Sequence, residues 1–304
     1  MNADPRPDFM CIGMQKAGTD WLYDQLLHHP DFWMPPIKEF HYLDRRAMPK
    51  IGRAEKLLDL SPKKLEKRFA KKRRWDETDY AFLKEAAAME GPLDLNRYAN
   101  LFRFKGNLLS GDITPGYSAI GEDMIAEVNK ALPGLKIVLL IRDPVSRAWS
   151  QISMANRNDN FDASVLEDPK QLAGFLQQSE LVRDRAFPTQ IAQRWMRAGP
   201  DLDLRWFYFD DIEQGGEKAR TDVLTFLGAD PGKRSGALEA SFNRKAQARK
   251  LPLSEKLQAV LVAEFAEELE ACAEFFGGPA ARWPAKYGLV TGAQNHASDP
   301  VATV

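Results

Sequence analysis

Residues 136–141 read Lys-Ile-Val-Leu-Leu-Ile and stop at Arg142-Asp143-Pro144. Five aliphatic residues in a row, with no polar alternation, leave neither face of a strand for water. Such a run belongs in a sheet covered on both sides, as parallel sheets are. A strand buried this way demands helices above and below it. The flanking sequence supplies them. Phe9-Met10-Cys11-Ile12 is a second short buried run ending at Gly13, Leu108 to Ile113 a third ending at Thr114-Pro115-Gly116, and the aromatic-rich Leu204 to Phe209 a fourth. Between them, helical spacing is expected over 19–28 (stopped by Pro30), 57–75, 93–104, 121–132, from Pro144 to about 156, 218–227 and 254–276. Gly228 and Gly277-Gly278 act as stops, and Ser254 as a cap. The pattern predicts a three-layer α/β fold with a mainly parallel central sheet flanked by helices. One domain is expected over 1–290, and the polar tail 291–304 is expected to be disordered. In such folds ligands bind beyond the carboxyl ends of the strands, so the turns after Ile12, Ile113 and Ile141 should converge on one crevice.

Bulk numbers narrow the function. The chain has 304 residues with a formal charge of −1, so global charge does not argue for nucleic acid or an anionic membrane, and no nucleic acid partner is expected. Its two cysteines, Cys11 and Cys272, sit in apolar runs, fitting buried thiols in a reducing, cytoplasmic setting. The four histidines, at 28, 29, 41 and 296, lack the spacing of a zinc site, so no metal is expected. MNADPRPDF carries no apolar run of signal-peptide length, and no stretch has the length of a membrane span.

The first strand leads into Gly13-Met14-Gln15-Lys16-Ala17-Gly18-Thr19-Asp20. A turn with two glycines at a helix start gathers backbone N–H groups into an anion nest, and the helix dipole adds positive potential. Lys16 brings a full charge and Thr19 a hydroxyl. The glycine spacing is that of a P-loop NTPase, which makes the fold P-loop-like. The Lys-Ser/Thr pair that serves a magnesium nucleotide is absent after the second glycine, where Thr19-Asp20 stands. A P-loop kinase or NTPase is the second reading, and a nucleotide-binding module without catalysis the third.

The segment GMQKAGTDWLYDQLLHHP, residues 13–30, resembles the 5′-phosphosulfate-binding segment of sulfotransferases that use 3′-phosphoadenosine 5′-phosphosulfate (PAPS). The resemblance implies cofactor contacts at Lys16, Ala17, Gly18, Thr19, Asp20 and Trp21. Asp20 departs from the family's usual Ser or Thr and is expected to point away from the phosphosulfate. KIVLLIRDPVSRAWSQ, residues 136–151, resembles the family's 3′-phosphate segment, which places that role on Arg142 and Ser150. A guanidinium suits phosphate because it binds bidentately. Lys38-Glu39-Phe40-His41-Tyr42 resembles the Lys-Glu-x-His-Phe segment of the bacterial and heparan-type branch. There the glutamate is the general base, which carries over to Glu39, with His41 as its rival and Lys38 beside the sulfuryl group. Residues 111–117 resemble a segment lining the acceptor side, making Asp112, Thr114 and Tyr117 substrate-contact candidates. Residues 247–252 resemble a loop that closes over the nucleotide. Arg249 matches it, Gln247 and Ala248 depart from it, and Lys245 or Lys250 is the stand-in cation.

The resemblance implies transfer of a sulfuryl group from PAPS to an acceptor hydroxyl or amine, with PAP as product. Lys16 would stabilise the leaving phosphate, and no metal is needed. The acceptor class stays open among small molecules, sugars and lipids. Residues 63–74 hold eight Lys or Arg and one Glu. That run reads as a solvated face, as a site for an anionic acceptor, or as a peripheral contact with a membrane surface carrying a lipid acceptor.

Overall fold

A computed structural model describes residues 4–44, 74–89, 91–183, 185–233 and 251–289. Four strands form one sheet: β1 (Phe9–Gly13), β2 (Gly111–Ile113), β3 (Lys136–Ile141) and β4 (Asp203–Tyr208). Their order is β2-β1-β3-β4 and every pairing is parallel. The apolar run at 136–141 is a strand over its predicted length, with Ile137 to Ile141 all at 0 % exposure. The third run is shorter than expected. Leu108 is exposed and Leu109 makes only an isolated bridge to Phe32, so ladder pairing begins at Gly111. Phe209, expected in the fourth strand, instead opens a short helical turn.

Nine helices of six or more residues are described. They are α1 (Thr19–Leu27), α2 (Glu77–Ala87), α3 (Leu95–Asn100), α4 (Glu122–Ala131), α5 (Pro144–Arg157), α6 (Pro169–Gln178), α7 (Pro188–Ala198), α8 (Glu217–Leu227) and α9 (Glu255–Phe276). The expected caps are in place on α9, where the Ser254 hydroxyl accepts from the Leu257 N–H and Gly277 ends the helix. Its buried face is Leu257, Leu261, Phe265, Leu269, Cys272 and Phe276, a three-to-four-residue stripe. Helices α2, α6 and α7 were not anticipated. Each carries a local start signal: Asp76 and Asp79 form a reciprocal capping box on α2, and Pro169 and Pro188 stand at the first position of α6 and α7. The predicted helix 57–75 falls outside the described residues up to 73, and Arg74 and Trp75 are not helical. The tail 291–304 also lies outside them.

A cluster of buried apolar residues runs from Phe9 to Trp283 and joins the sheet to the helices. Burying apolar surface contributes roughly 25 cal/mol per Å² and holds these layers together. Both cysteines are buried free thiols, and burial pushes Cys11 up to about 12. No described helix is long and apolar enough to cross a membrane.

Candidate active site

Parallel pairing brings the carboxyl ends of β1, β2 and β3 side by side, with the loop 13–18 at the centre. The loop closes through the Met14 N–H, which donates to the Leu140 carbonyl at 2.7 Å, and the Ala17 N–H, which donates to Met14 at 3.1 Å. Gly18 has φ +100°, and a Cβ there would lie 2.7 Å from Ile212 Cδ1. Only glycine lets the loop turn into α1 at that point. Lys16 is a non-glycine residue at φ +72°, a conformation that L-residues seldom adopt.

Arg142, at the end of β3, reaches this loop. Its Nη1 donates to the Lys16 carbonyl at 3.1 Å, across 126 residues of chain. Its guanidinium lies 4.1 Å over the Phe209 ring, and Glu213 stands 3.9 Å away. Burial pulls its pKa down from the usual guanidinium value. Asp143 does not tie it up at the surface. That carboxylate caps α5 through the Ser146 N–H and accepts from Tyr287 and Lys286. The Lys16 Nζ lies 3.6 Å from Met154 Sδ on α5. Ser150 is one turn earlier on the same helix, half-buried, so it shares that face. Lys16, Arg142 and the Ser150 face of α5 thus lie close together at the strand ends. Thr19 and Trp21 are buried in α1 and Ala17 in the loop. Trp21 belongs to the core packing behind the loop. Arg249 and Lys250 lie outside the described residues.

Segment 38–44 forms the facing wall. Its backbone is pinned to the end of β2, with the Glu39 N–H donating to the Ile113 carbonyl at 3.0 Å. Glu39 and His41 both have positive φ, +61° and +53°. Non-glycine residues in that region persist only where their surroundings over-determine them. The surroundings here are the three residues expected to touch the acceptor. Asp112, Thr114 and Tyr117 are at most 1 % exposed. Asp112 accepts from the Thr114, Tyr117 and Tyr98 hydroxyls at 2.7, 2.8 and 2.9 Å. Thr114 then accepts from the Phe40 N–H, and Tyr117 from the Tyr42 N–H. Their polar atoms therefore hold the Glu39–Tyr42 backbone from behind, which corrects the expected contact role. Burial raises the Asp112 carboxyl to about 6, against the pull of its three hydroxyl donors.

The charged side chains of this wall form a chain. Lys38 Nζ lies 2.7 Å from Asp20 and 3.4 Å from Glu39. The Asp20 side chain is 60 % exposed, and its charge is met by the Lys38 ammonium. His41 Nδ1 meets Asp44 at 2.8 Å, and its Nε2 faces Glu39 at 3.8 Å. Asp44 and its role were not anticipated, although its position three residues after His41 is a usable signal. Gly116 is required beside this pair, because a Cβ there would come 2.5 Å from Asp44 Oδ2. For Glu39, partial burial works upward but is outweighed by His41 and Lys38, which bring it down to about 2. For His41, burial works downward but Asp44 and Glu39 outweigh it and raise it to about 9. At neutral pH the wall thus presents a carboxylate at Glu39 and an imidazolium at His41.

His41 is raised above its ordinary 6.5, so its share of stability is full below about 6.5 and is lost as pH rises through about 9. A proton NMR titration should place its midpoint near 9, and Asp44→Asn should move that midpoint toward 6.5. A wild-type midpoint at or below 6.5 would contradict the Asp44 pairing.

Among the described residues there is no group of three or more His, Cys, Asp or Glu arranged to hold a metal ion. The fold is that of an α/β protein whose parallel sheet carries the loop 13–18 at its strand ends, against Arg142. Comparison with known proteins carries this further. A family model described as "Sulfotransferase family" matches residues 7–230, which include the loop, the 38–44 wall, Arg142 and Ser150. The chain belongs to the sulfotransferase family. Among solved structures it is similar to a sulfotransferase from Alicyclobacillus acidocaldarius, with 19 % identity, TM-score 0.60, and coverage of 95 % of this chain and 98 % of the other. It is also similar to the sulfotransferase domain of the Synechococcus PCC 7002 olefin synthase, with 17 % identity, TM-score 0.50, and coverage of 86 % and 95 %. At such identities the structural likeness speaks for the fold. The search among curated proteins found no match.

Proposed function

We propose that this sulfotransferase takes its sulfuryl group from PAPS and passes it to a hydroxyl or amine, with Glu39 as general base. The supporting observation is the Arg142–Lys16 contact of 3.1 Å, which sets two cationic strand ends at one crevice. The donor set suits a nucleotide with phosphate at both ends. Arg142 Nε is buried and without a hydrogen-bond partner among the described residues, as expected of a donor kept for a ligand. When bound, PAPS supplies the sulfuryl group and departs as PAP.

The protein's own groups divide the work. Arg142 and Ser150 hold the 3′-phosphate, and the loop 13–19 holds the 5′ end. Lys16 offsets the negative charge that develops on the departing phosphate oxygen. Glu39, ionised and 40 % exposed, takes the proton from the acceptor as it attacks. His41, already protonated and held by Asp44, orients Glu39 and is poorly suited to accept a proton itself. Lys38 stands between Asp20 and Glu39, where it can turn toward a sulfuryl oxygen.

Calorimetry with PAP, AMP and ATP, with and without magnesium, tests the nucleotide assignment. PAP should bind at least about tenfold tighter than AMP, since a charge-assisted phosphate contact contributes more than a neutral hydrogen bond. Magnesium should make no difference. Preference for magnesium-ATP would replace this reading with an NTPase.

A further inference from the structure

A second concave site lies beside the crevice. A pocket of about 210 Å³ is lined by Arg183, Phe187, Gln190, Ile191 and Arg194. Among these described residues the polar atoms come from two guanidiniums and one amide, with no carboxylate. Both arginines are held in place. Arg183 Nη1 donates to the Gln177 carbonyl at 2.9 Å, and Arg194 Nη2 donates to the Ser118 carbonyl. On α4, Glu122 pairs with Arg197 and also feels the charge of Arg194.

Two contacts tie this pocket to the phosphate loop. Ser118 belongs to the helical turn after β2 and sits against Gly13, where a Cβ would come 3.1 Å from Ser118 Cβ. On the other side, Arg185 Nη1 donates to Gln15 Oε1 at 3.0 Å, and the Arg185 carbonyl accepts from the fully buried Arg147. The wall that carries Arg183 and Arg194 is therefore one residue layer from the loop. The nucleotide's two phosphate ends are already matched by Lys16 and by Arg142 with Ser150. The pocket is a further cationic concavity, separate from those residues. We infer that it binds an anionic group, a carboxylate, sulfate or phosphate, carried by the acceptor, with the half-buried Phe187 meeting the apolar part next to it. The inference rests on the sulfuryl-transfer reading above and names the acceptor class for the same site.

Benzoate and benzamide serve as probes, because they share one shape and differ in charge. Each is titrated by calorimetry into protein saturated with PAP, which occupies the nucleotide part of the crevice. Benzoate should bind at least about tenfold tighter than benzamide, the difference between an ionic and a neutral hydrogen-bonding partner for arginine. Arg183→Ala should erase that difference while PAP affinity stays the same, since Arg183 makes no contact with the loop. Equal binding of the two probes, absence of binding by both, or a benzoate preference unchanged in Arg183→Ala would each overturn the inference. Failure of PAP itself to bind would instead strike the nucleotide reading, so the two failures are told apart.

Discussion

Glu39→Gln should lower kcat by roughly 10²–10⁴-fold, the range supplied by a positioned general base. The amide keeps the side chain's shape and can still approach Lys38, so PAP affinity should change by no more than about twofold. What it loses is the capacity to take a proton. Glu39 is held at about 2, low enough to stay ionised in any ordinary buffer. Lowering pH from 8 to 5 should therefore not cost activity through this group, because its ionised form is lost only as pH falls through about 2. So low a value makes a weak base in the resting site. Lys38 supplies part of the depression and is shared with Asp20. In the proposed mechanism, a Lys38 that turned to a sulfuryl oxygen would release part of this depression and make Glu39 more basic. His41→Asn should have the smaller effect, about tenfold, because it removes an orienting cation and not the proton acceptor. A Glu39→Gln protein with most of its turnover, beside an inactive His41→Asn protein, would hand the base to His41.

Arg142→Ala should weaken PAP by roughly 10²-fold and leave AMP within about threefold. The selectivity of the loss carries the argument. AMP lacks the 3′-phosphate, so an effect confined to PAP reports a direct contact with that group. Arg142 also donates to the Lys16 carbonyl, and its removal could loosen the loop. Equal losses for the two nucleotides would mean that Arg142 acts through Lys16 alone. Arg142→Lys should fall between, since an ammonium keeps the charge but cannot form the two parallel bonds of a guanidinium or stack on Phe209 in the same way.

Much of the scaffold was legible because its signals are local. The run 136–141 announces its own burial, and two glycines around Lys16 announce a turn into a helix. Helices α2 and α6 have side-chain caps and α7 a proline at its first position, and their buried residues recur at helical spacing, such as Phe82, Leu83 and Ala86 or Ile191, Ala192 and Trp195, yet each buried face is short. They acquire their stability from α9 and from the rest of the core, which lie far off in sequence. The same limit explains the misplaced acceptor contacts. Asp112, Thr114 and Tyr117 are polar residues in a family-like turn, and polarity in one dimension does not say which way a side chain faces. Tyr98, outside that turn, completes the hydrogen-bonded shell that encloses Asp112.

From its order of residues alone the chain determined a parallel α/β frame, a lysine-bearing glycine loop and the chemical types available to the proposed sulfuryl transfer, because strand burial and turn geometry depend on near neighbours. Only the folded arrangement decided that Arg142 meets the Lys16 loop, that Asp44 and Glu39 enclose His41, and that Asp112 supports the wall from behind. Those pairings join residues through space, where charge, desolvation and hydrogen bonding act over a few ångströms regardless of how much chain lies between.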